Sequence, residues 1–294
     1  MKDKKSPFYA YRYLVTPVSQ QISITQELHK SKEELMIDFV QRLSRNTKTE
    51  WTKGDKRFLF YGSQSEKNIN IFKFAKETFE NIYVEGEEDI EIQGIKEAKY
   101  VLVIIDTEHQ IILIERNFKV FQSINTPQKI LTDFFRTLML EYDYVVNIYP
   151  LATKRKFWHY VDTADEIFQL SLVLNAPNMP FFGNQDTRAI LKIIQESTNN
   201  EELDITLKNK EGELDIKKSV LGNWIDYVRE VGGKYLLKFS KDGVMEIKTS
   251  DNDTAKTYIP KKKTDKFTEE EIGNIEDKLN AMHNLETRDE IDEE

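Results

Sequence analysis

Asp106-Thr107-Glu108-His109, with Glu115 beyond it, brings carboxylate oxygens and an imidazole nitrogen into one short stretch. Those ligand types suit Mg²⁺, Mn²⁺ or Zn²⁺, and a turn between two buried strands would gather them. The same residues suit a polar hairpin tip, with Asp106 supplying turn chemistry and Glu108 and His109 facing water. A second set is Asp89, followed by Glu97-Ala98-Lys99 just ahead of an apolar strand. Carboxylates on a metal, beside a Lys that steadies the attacking water, are the parts of a metal-dependent nuclease. In a chain that is 32% charged, Glu-x-Lys is also ordinary surface composition. A third set is Lys154-Arg155-Lys156-Phe157-Trp158-His159-Tyr160. Bases neutralise phosphate and aromatic rings stack on unpaired nucleobases. Lys154, Arg155, Lys156, Trp158 and His159 are therefore the candidate nucleic-acid contact. The competing reading is an interdomain linker whose aromatics pack into a core while its cations are solvated.

Other chemistries are excluded by composition. There is no Cys, hence no disulfide scaffold, zinc knuckle or thiol nucleophile. No Gly-x-Gly-x-x-Gly and no Gly-Lys-Ser/Thr phosphate loop occurs, and no Ser or Thr has a nucleophile-elbow context. The loop from Asn175 through Gly183 follows a strand end, where binding sites often lie. His29 and His283 sit among polar residues and read as exposed.

The elements that must position these residues follow from periodicity. Residues 7–17 are aromatic and β-branched and predict a first strand. Ser31 and Glu34 form a capping box ahead of a helix over 32–45. Arg57–Tyr61 and Asn68–Phe74 predict strands, the second placing Ile69 and Ile71 on one face and Phe72 and Phe74 on the other. Ile82–Val84 and Ile90–Ile92 predict short strands, and Tyr100–Ile105 pairs with Gln110–Glu115 across the Asp106–His109 turn. Thr126-Pro127 opens a helix to about Tyr142, and Tyr144–Tyr149 returns as a strand. Beyond Pro150 the order is strand, helix, strand, helix, hairpin, the second helix stopping at Gly232-Gly233. This predicts an α+β protein with two mixed α/β sandwich units, the second ferredoxin-like. The expected division is 1–150, 151–260 and an acidic, largely mobile tail over 261–294. A short helix in that tail carries Ile272, Ile275, Leu279 and Met282 as a narrow stripe suited to a partner helix.

The net charge of −9 over 294 residues is confined to residues 264–294, within that tail. Residues 264–294 hold twelve acids and three bases, whereas 1–263 hold 39 of each. The body is neutral and lacks the broad basic surface of a dedicated nucleic-acid binder. The apolar content of 39% is enough for a core. No apolar run approaches the ~20 residues of a membrane span, and no signal-peptide apolar region follows the basic start. The expectation is a cytoplasmic protein without membrane contact.

The segments YVLVIIDTEHQIILIER (100–116) and IDYVREVGGKYLLK (225–238) resemble parts of uncharacterised bacterial proteins found beside phage-defence genes. The similarity extends diffusely over 7–250. It implies a subunit of a defence or toxin-type operon acting with partners, and it implies no particular reaction. Together these observations predict a non-catalytic or partner-dependent component of a bacterial anti-phage defence complex, recognising a protein from the same operon or a nucleic acid. The alternatives are a metal-dependent nuclease, with a divalent ion as its cofactor, and a self-assembling structural protein built on a homo-oligomer. The leading reading needs no cofactor.

Overall fold

The computed structural model describes residues 5–18, 31–46, 48–85, 89–152, 154–175, 185–198, 200, 202–260 and 266–283. Among the described residues twelve strands form two sheets, and every strand pair in them is antiparallel. The first sheet contains β1 (Lys5–Pro17), β2 (Thr49–Lys53), β3 (Lys56–Glu66), β4 (Ile69–Glu85), β5 (Ile90–Asp106), β6 (Ile111–Glu115), β7 (Tyr144–Pro150) and β12 (Lys256–Pro260). Its order is β12-β1-β6-β5-β4-β3-β2, with β7 also on β1. Strands covered on both faces read as unbroken apolar runs. Val101–Ile105 is such a run, with odd residues in one core and even residues in another.

The first core lies under α1 (Lys32–Arg45) and α2 (Asn125–Met139). The α1 capping box is complete: Ser31 Oγ accepts from the Glu34 N–H at 3.1 Å, and Glu34 Oε2 accepts from the Ser31 N–H at 2.8 Å. Phe39 and Phe135 meet edge to face at 5.4 Å beneath the two helices. At Gly62 the helix comes so close that a Cβ would stand 2.5 Å from the Ser44 carbonyl oxygen. The α2 helix begins at Asn125, slightly ahead of the expected start; Ser123 Oγ accepts from the Thr126 N–H at 3.2 Å.

The opposite face of the same sheet is covered by α6 (Glu269–His283). Its stripe of Ile272, Ile275, Leu279 and Met282 packs with Phe8, Ala10, Ile69, Ile71, Leu102, Ile104, Ile111 and Leu113. The Gln64 amide clamps the approach, donating to the Phe267 carbonyl and accepting from the Phe267 N–H, both at 2.9 Å. The expectation of a mobile tail is therefore corrected for this segment: the stripe is spent on the protein's own sheet. Glu269, Glu270 and Glu271 occupy its first turn, where the helix dipole favours negative charge. Residues 284–294 lie outside the described residues.

The second sheet is β11-β10-β8-β9, made of β8 (Glu166–Asn175), β9 (Glu202–Lys208), β10 (Gly233–Lys241) and β11 (Val244–Thr249). With it come α3 (Lys154–Thr163), α4 (Gln185–Thr198) and α5 (Lys218–Glu230), which contribute Phe157, Trp158, Leu191, Ile225 and Val228 to its core. A ferredoxin-like unit joins parallel strands through its helices. Here β8 and β9 flank α4 and pair directly, antiparallel, so the topology differs. The open face carries Lys208, Lys234 and Lys238 beside Gln169, Ser171 and Thr206, with the acid Asp204 in the same row as Lys234.

The chain returns to the first sheet through β12, which had been expected within 151–260. Three backbone hydrogen bonds close the junction: Ala10 N–H to Ala255 O (2.8 Å), Ala255 N–H to Leu151 O (2.7 Å) and Leu151 N–H to Ala10 O (3.0 Å). Buried Asn175 ties the two sheets together. Its Oδ1 accepts from Tyr149 (2.8 Å), its carbonyl accepts from Tyr227 (2.9 Å) and its Nδ2 donates to Gly232 O (3.1 Å). Among the described residues no helix is long and apolar enough to cross a membrane.

Candidate functional site

Asp106 ends β5 and His109 sits in the tight turn to β6. Gln110 closes that turn at φ +58°. The Asp106 carboxylate organises the turn from inside: Oδ1 accepts from the Glu108 N–H at 2.9 Å, and Oδ2 lies 2.6 Å from His109 Nδ1. This contact with Asp106 holds the His109 pKa above its ordinary 6.5, and burial opposes it. His283, read from the sequence as exposed, is half-buried, with its ring centroid 4.7 Å from that of His109. Glu108 accepts instead from Asn68 Nδ2 at 2.6 Å.

Two features of this cluster differ from a metal centre. Glu115 lies at the far end of β6, roughly 13 Å along the strand from Asp106 at ~3.3 Å per residue. There it accepts the Leu102 N–H at 3.1 Å, capping the β5 edge where the β6 ladder stops. Among the described residues no three His, Asp or Glu side chains converge as a ligand group. Sequence reasoning also passed over Arg12, fully buried on β1, which donates to the His109 carbonyl at 2.7 Å. Asp106, Ile111, Arg12 and Tyr149 stand in one cross-strand row. The hairpin is thus tied to the junction between the sheets.

The second set lies on β5 itself, not ahead of a strand as expected. Lys99 bridges Glu80 and, at 3.1 Å, Glu97. Glu80 first and Glu97 second hold the Lys99 ammonium above its ordinary range. Asp89 is exposed at the far end, about 25 Å from Glu97 along an extended strand. The structure therefore joins Glu97 to Lys99 and separates both from Asp89.

The third set is a helix rather than a linker. Trp158 is only 7% exposed and packs edge to face on Phe157 at 5.1 Å, so its ring is not offered for base stacking. His159 is exposed and Lys156 half-exposed; the Lys154 and Arg155 side chains lie outside the described residues. Of the loop from Asn175 through Gly183, only Asn175 is described, and it is the buried tie between the sheets. His29 lies outside the described residues.

The most distinctive surface was missed. β4 and β5 pair in unbroken register from Ile69↔Asp106 to Glu85↔Ile90. The β3 ladder on β4 ends at Lys76, and the β6 ladder on β5 ends at Val103. Among the described residues, 77–85 and 90–98 therefore form a two-stranded arm, about 30 Å long at ~3.3 Å per residue. One face carries Phe79, Tyr83 and Ile92, exposed by 76%, 73% and 63%. The other carries Thr78, Glu80, Ile95 and Glu97. Residues 77–99 hold eight acids and two bases. Alternation in 77–85 was the available signal; the strand was legible, but its bareness depends on where the neighbouring strands stop.

No protein-family model matches the chain, and no curated protein is significantly similar to it.

Proposed function

We propose that this protein is a non-catalytic, partner-dependent component of a bacterial anti-phage defence complex, acting in the cytoplasm through protein–protein contact. The β4–β5 arm carries this reading. Isolated two-stranded ribbons are marginal in water, and an aromatic face on one is a surface that gains by being covered. The resemblance of residues 100–116 and 225–238 to proteins encoded beside phage-defence genes supports the setting. A nucleic acid is the second reading, favoured by Lys208, Lys234 and Lys238 on the open face of the second sheet.

Co-purification from the native host tests the main reading. The full chain is expected to retain partners that the Phe79→Ser/Tyr83→Ser variant loses; identical recovery with both chains overturns arm docking. Incubation with DNA and RNA plus Mg²⁺ or Mn²⁺ tests the absence of catalysis. Cleavage that disappears in Glu97→Ala or Asp106→Ala would sink the non-catalytic reading.

A further inference from the structure

Resting on the docking reading above, we propose that the partner enters as an extended segment of another protein, added as a strand along the open edge of β5. The two neighbours of β5 differ in reach. β4 runs beside it throughout, from Asp106 to Ile90, whereas the β6 ladder stops at Val103. In an antiparallel ladder the N–H and C=O of one residue point to the same side, and successive residues alternate. Two hydrogen bonds fix which residues point outward. Thr107 N–H donates to Asn68 O on the β4 side (3.0 Å), and Leu102 N–H donates to Glu115 on the β6 side (3.1 Å). Odd residues therefore bond β4, and even residues face the lane that β6 vacates. The register with β4 is unbroken, so Ile92, Gly94, Lys96 and Ala98 turn their N–H and C=O groups outward. All four are exposed, and among the described residues no strand covers them.

The chemistry of the edge defines its occupant. Donors and acceptors repeating at every second residue are matched by another extended backbone. The chain already answers this need at the inner end, where the Glu115 carboxylate takes the Leu102 N–H that no strand reaches. Beyond that point the edge is one wall of an open groove of about 500 Å³. The turn at Asn117–Val120 is the other wall, and it is firmly built. Asn117 O accepts from the Val120 and Phe121 N–H groups at 3.0 and 3.1 Å, and Phe121 is buried, stacked on Phe74 at 5.4 Å. A groove walled on both sides takes a single strand. Side chains of that strand alternate between the two faces of the arm. On one face they meet the exposed Phe79, Tyr83 and Ile92, which favour apolar residues. On the other face Glu97 and Lys99 pair with each other at 3.1 Å, and Glu115 is buried on the Leu102 N–H. Lys119, at the turn, is exposed and in no ion pair among the described residues. The ligand that fits is an extended peptide alternating apolar and polar residues, with a carboxylate at the end that meets the turn.

Residue-resolved amide exchange on the full chain, with synthetic peptides as probes, tests this. The probe is a peptide of about eight residues alternating Val with Thr, with Asp at both ends. In the free protein the amides of Ile92, Gly94, Lys96 and Ala98 are expected to exchange faster than those of Gln93, Ile95 and Glu97. The peptide is expected to slow the first set. Ala98→Pro removes an outward N–H and no bond to β4, a place where a strand tolerates proline. It is expected to weaken the peptide about tenfold. N-methylation of the peptide backbone leaves the protein untouched: methyl groups on one alternate set of residues abolish binding, and those on the other set are tolerated. Protection of the even amides in the free protein, whether by a second copy or by the chain itself, overturns the proposal. So does a peptide that binds without slowing them, one indifferent to both methylation sets, or no binding at all. Co-purification from the host separates strand addition from arm docking. Partners lost in both Ala98→Pro and Phe79→Ser/Tyr83→Ser support both readings. Partners kept by Ala98→Pro and lost by the aromatic variant overturn strand addition and leave arm docking standing. Partners kept by both overturn both.

Discussion

His109 Nδ1 lies 2.6 Å from Asp106 Oδ2, across a turn whose backbone N–H groups bond the other oxygen of the same carboxylate. One carboxylate therefore both folds the turn and favours the charged imidazole. The groups facing that imidazole are Asp106, Glu108, Arg12 and the ring of His283. A histidine with a raised folded pKa adds stability that is full below its unfolded value, about 6.5, and fades as pH climbs through the folded value. The stability difference between wild type and His109→Gln should be largest in mild acid and shrink toward alkaline pH. Unfolding curves across that range would show it, and a pH-independent difference would contradict it. By NMR the His109 ring should titrate above 6.5, and nearer 6.5 in Asp106→Asn.

Leu279 is fully buried between α6 and the first sheet. Leu279→Ala should cost about 2–5 kcal/mol, the range for a leucine cavity that only partly collapses. Urea denaturation measures it. A loss within experimental error would mean that α6 stands off the sheet in solution.

The paired glycines before β10 answer to packing. Gly232 holds φ +108° against Tyr149 and Leu14, and a Cβ on Gly233 would lie 2.4 Å from the Val173 carbonyl oxygen. Gly233→Ala and Gly62→Ala should each destabilise by about 1–3 kcal/mol through overpacking. Gly273→Ala, in α6 with no heavy atom within 4 Å of the added Cβ, should instead stabilise by about 0.4–1 kcal/mol. Thermal melts of the three variants would show the opposite signs.

Trp158→Ala should lose about 3–5 kcal/mol of stability, as large aromatic deletions in cores do. Lys156→Ala, at a half-exposed position, should change stability little. If the two substitutions instead weakened binding to a single-stranded oligonucleotide equally while both chains stayed fully folded, α3 would be a contact surface rather than a core helix.

Local chemistry was legible where it closes locally. The Ser31–Glu34 box spans one helical turn and is formed as read. The alternation of Ile69 and Ile71 against Phe72 and Phe74 assigned each pair to its face. What sequence proximity could not carry was the identity of the surface on the other side. The Ile272–Met282 stripe reads the same whether its complement is another protein or, as here, a sheet begun at Phe8. Trp158 beside three cations looks like a stacking platform until the helix turns its ring inward. Arg12 is buried because strands far away in sequence flank it, and nothing within residues 7–17 encodes that. The arm's bareness is likewise set by the ends of β3 and β6.

The three hydrogen bonds at Ala10, Leu151 and Ala255 have a consequence for the order of events during synthesis. β1 is made before the rest of its sheet, yet its neighbour β12 is made after the entire second sheet, and the α6 cover comes later still. Until then Phe8, Ile71, Leu102 and Ile104 face outward on a strand array with an unpaired edge. Such surfaces are what chaperones hold and what aggregates recruit. The smaller sheet is complete in sequence while the larger one waits. A message cut short before α6 thus yields an apolar sheet face left bare, and α6 acts as the seal on that face.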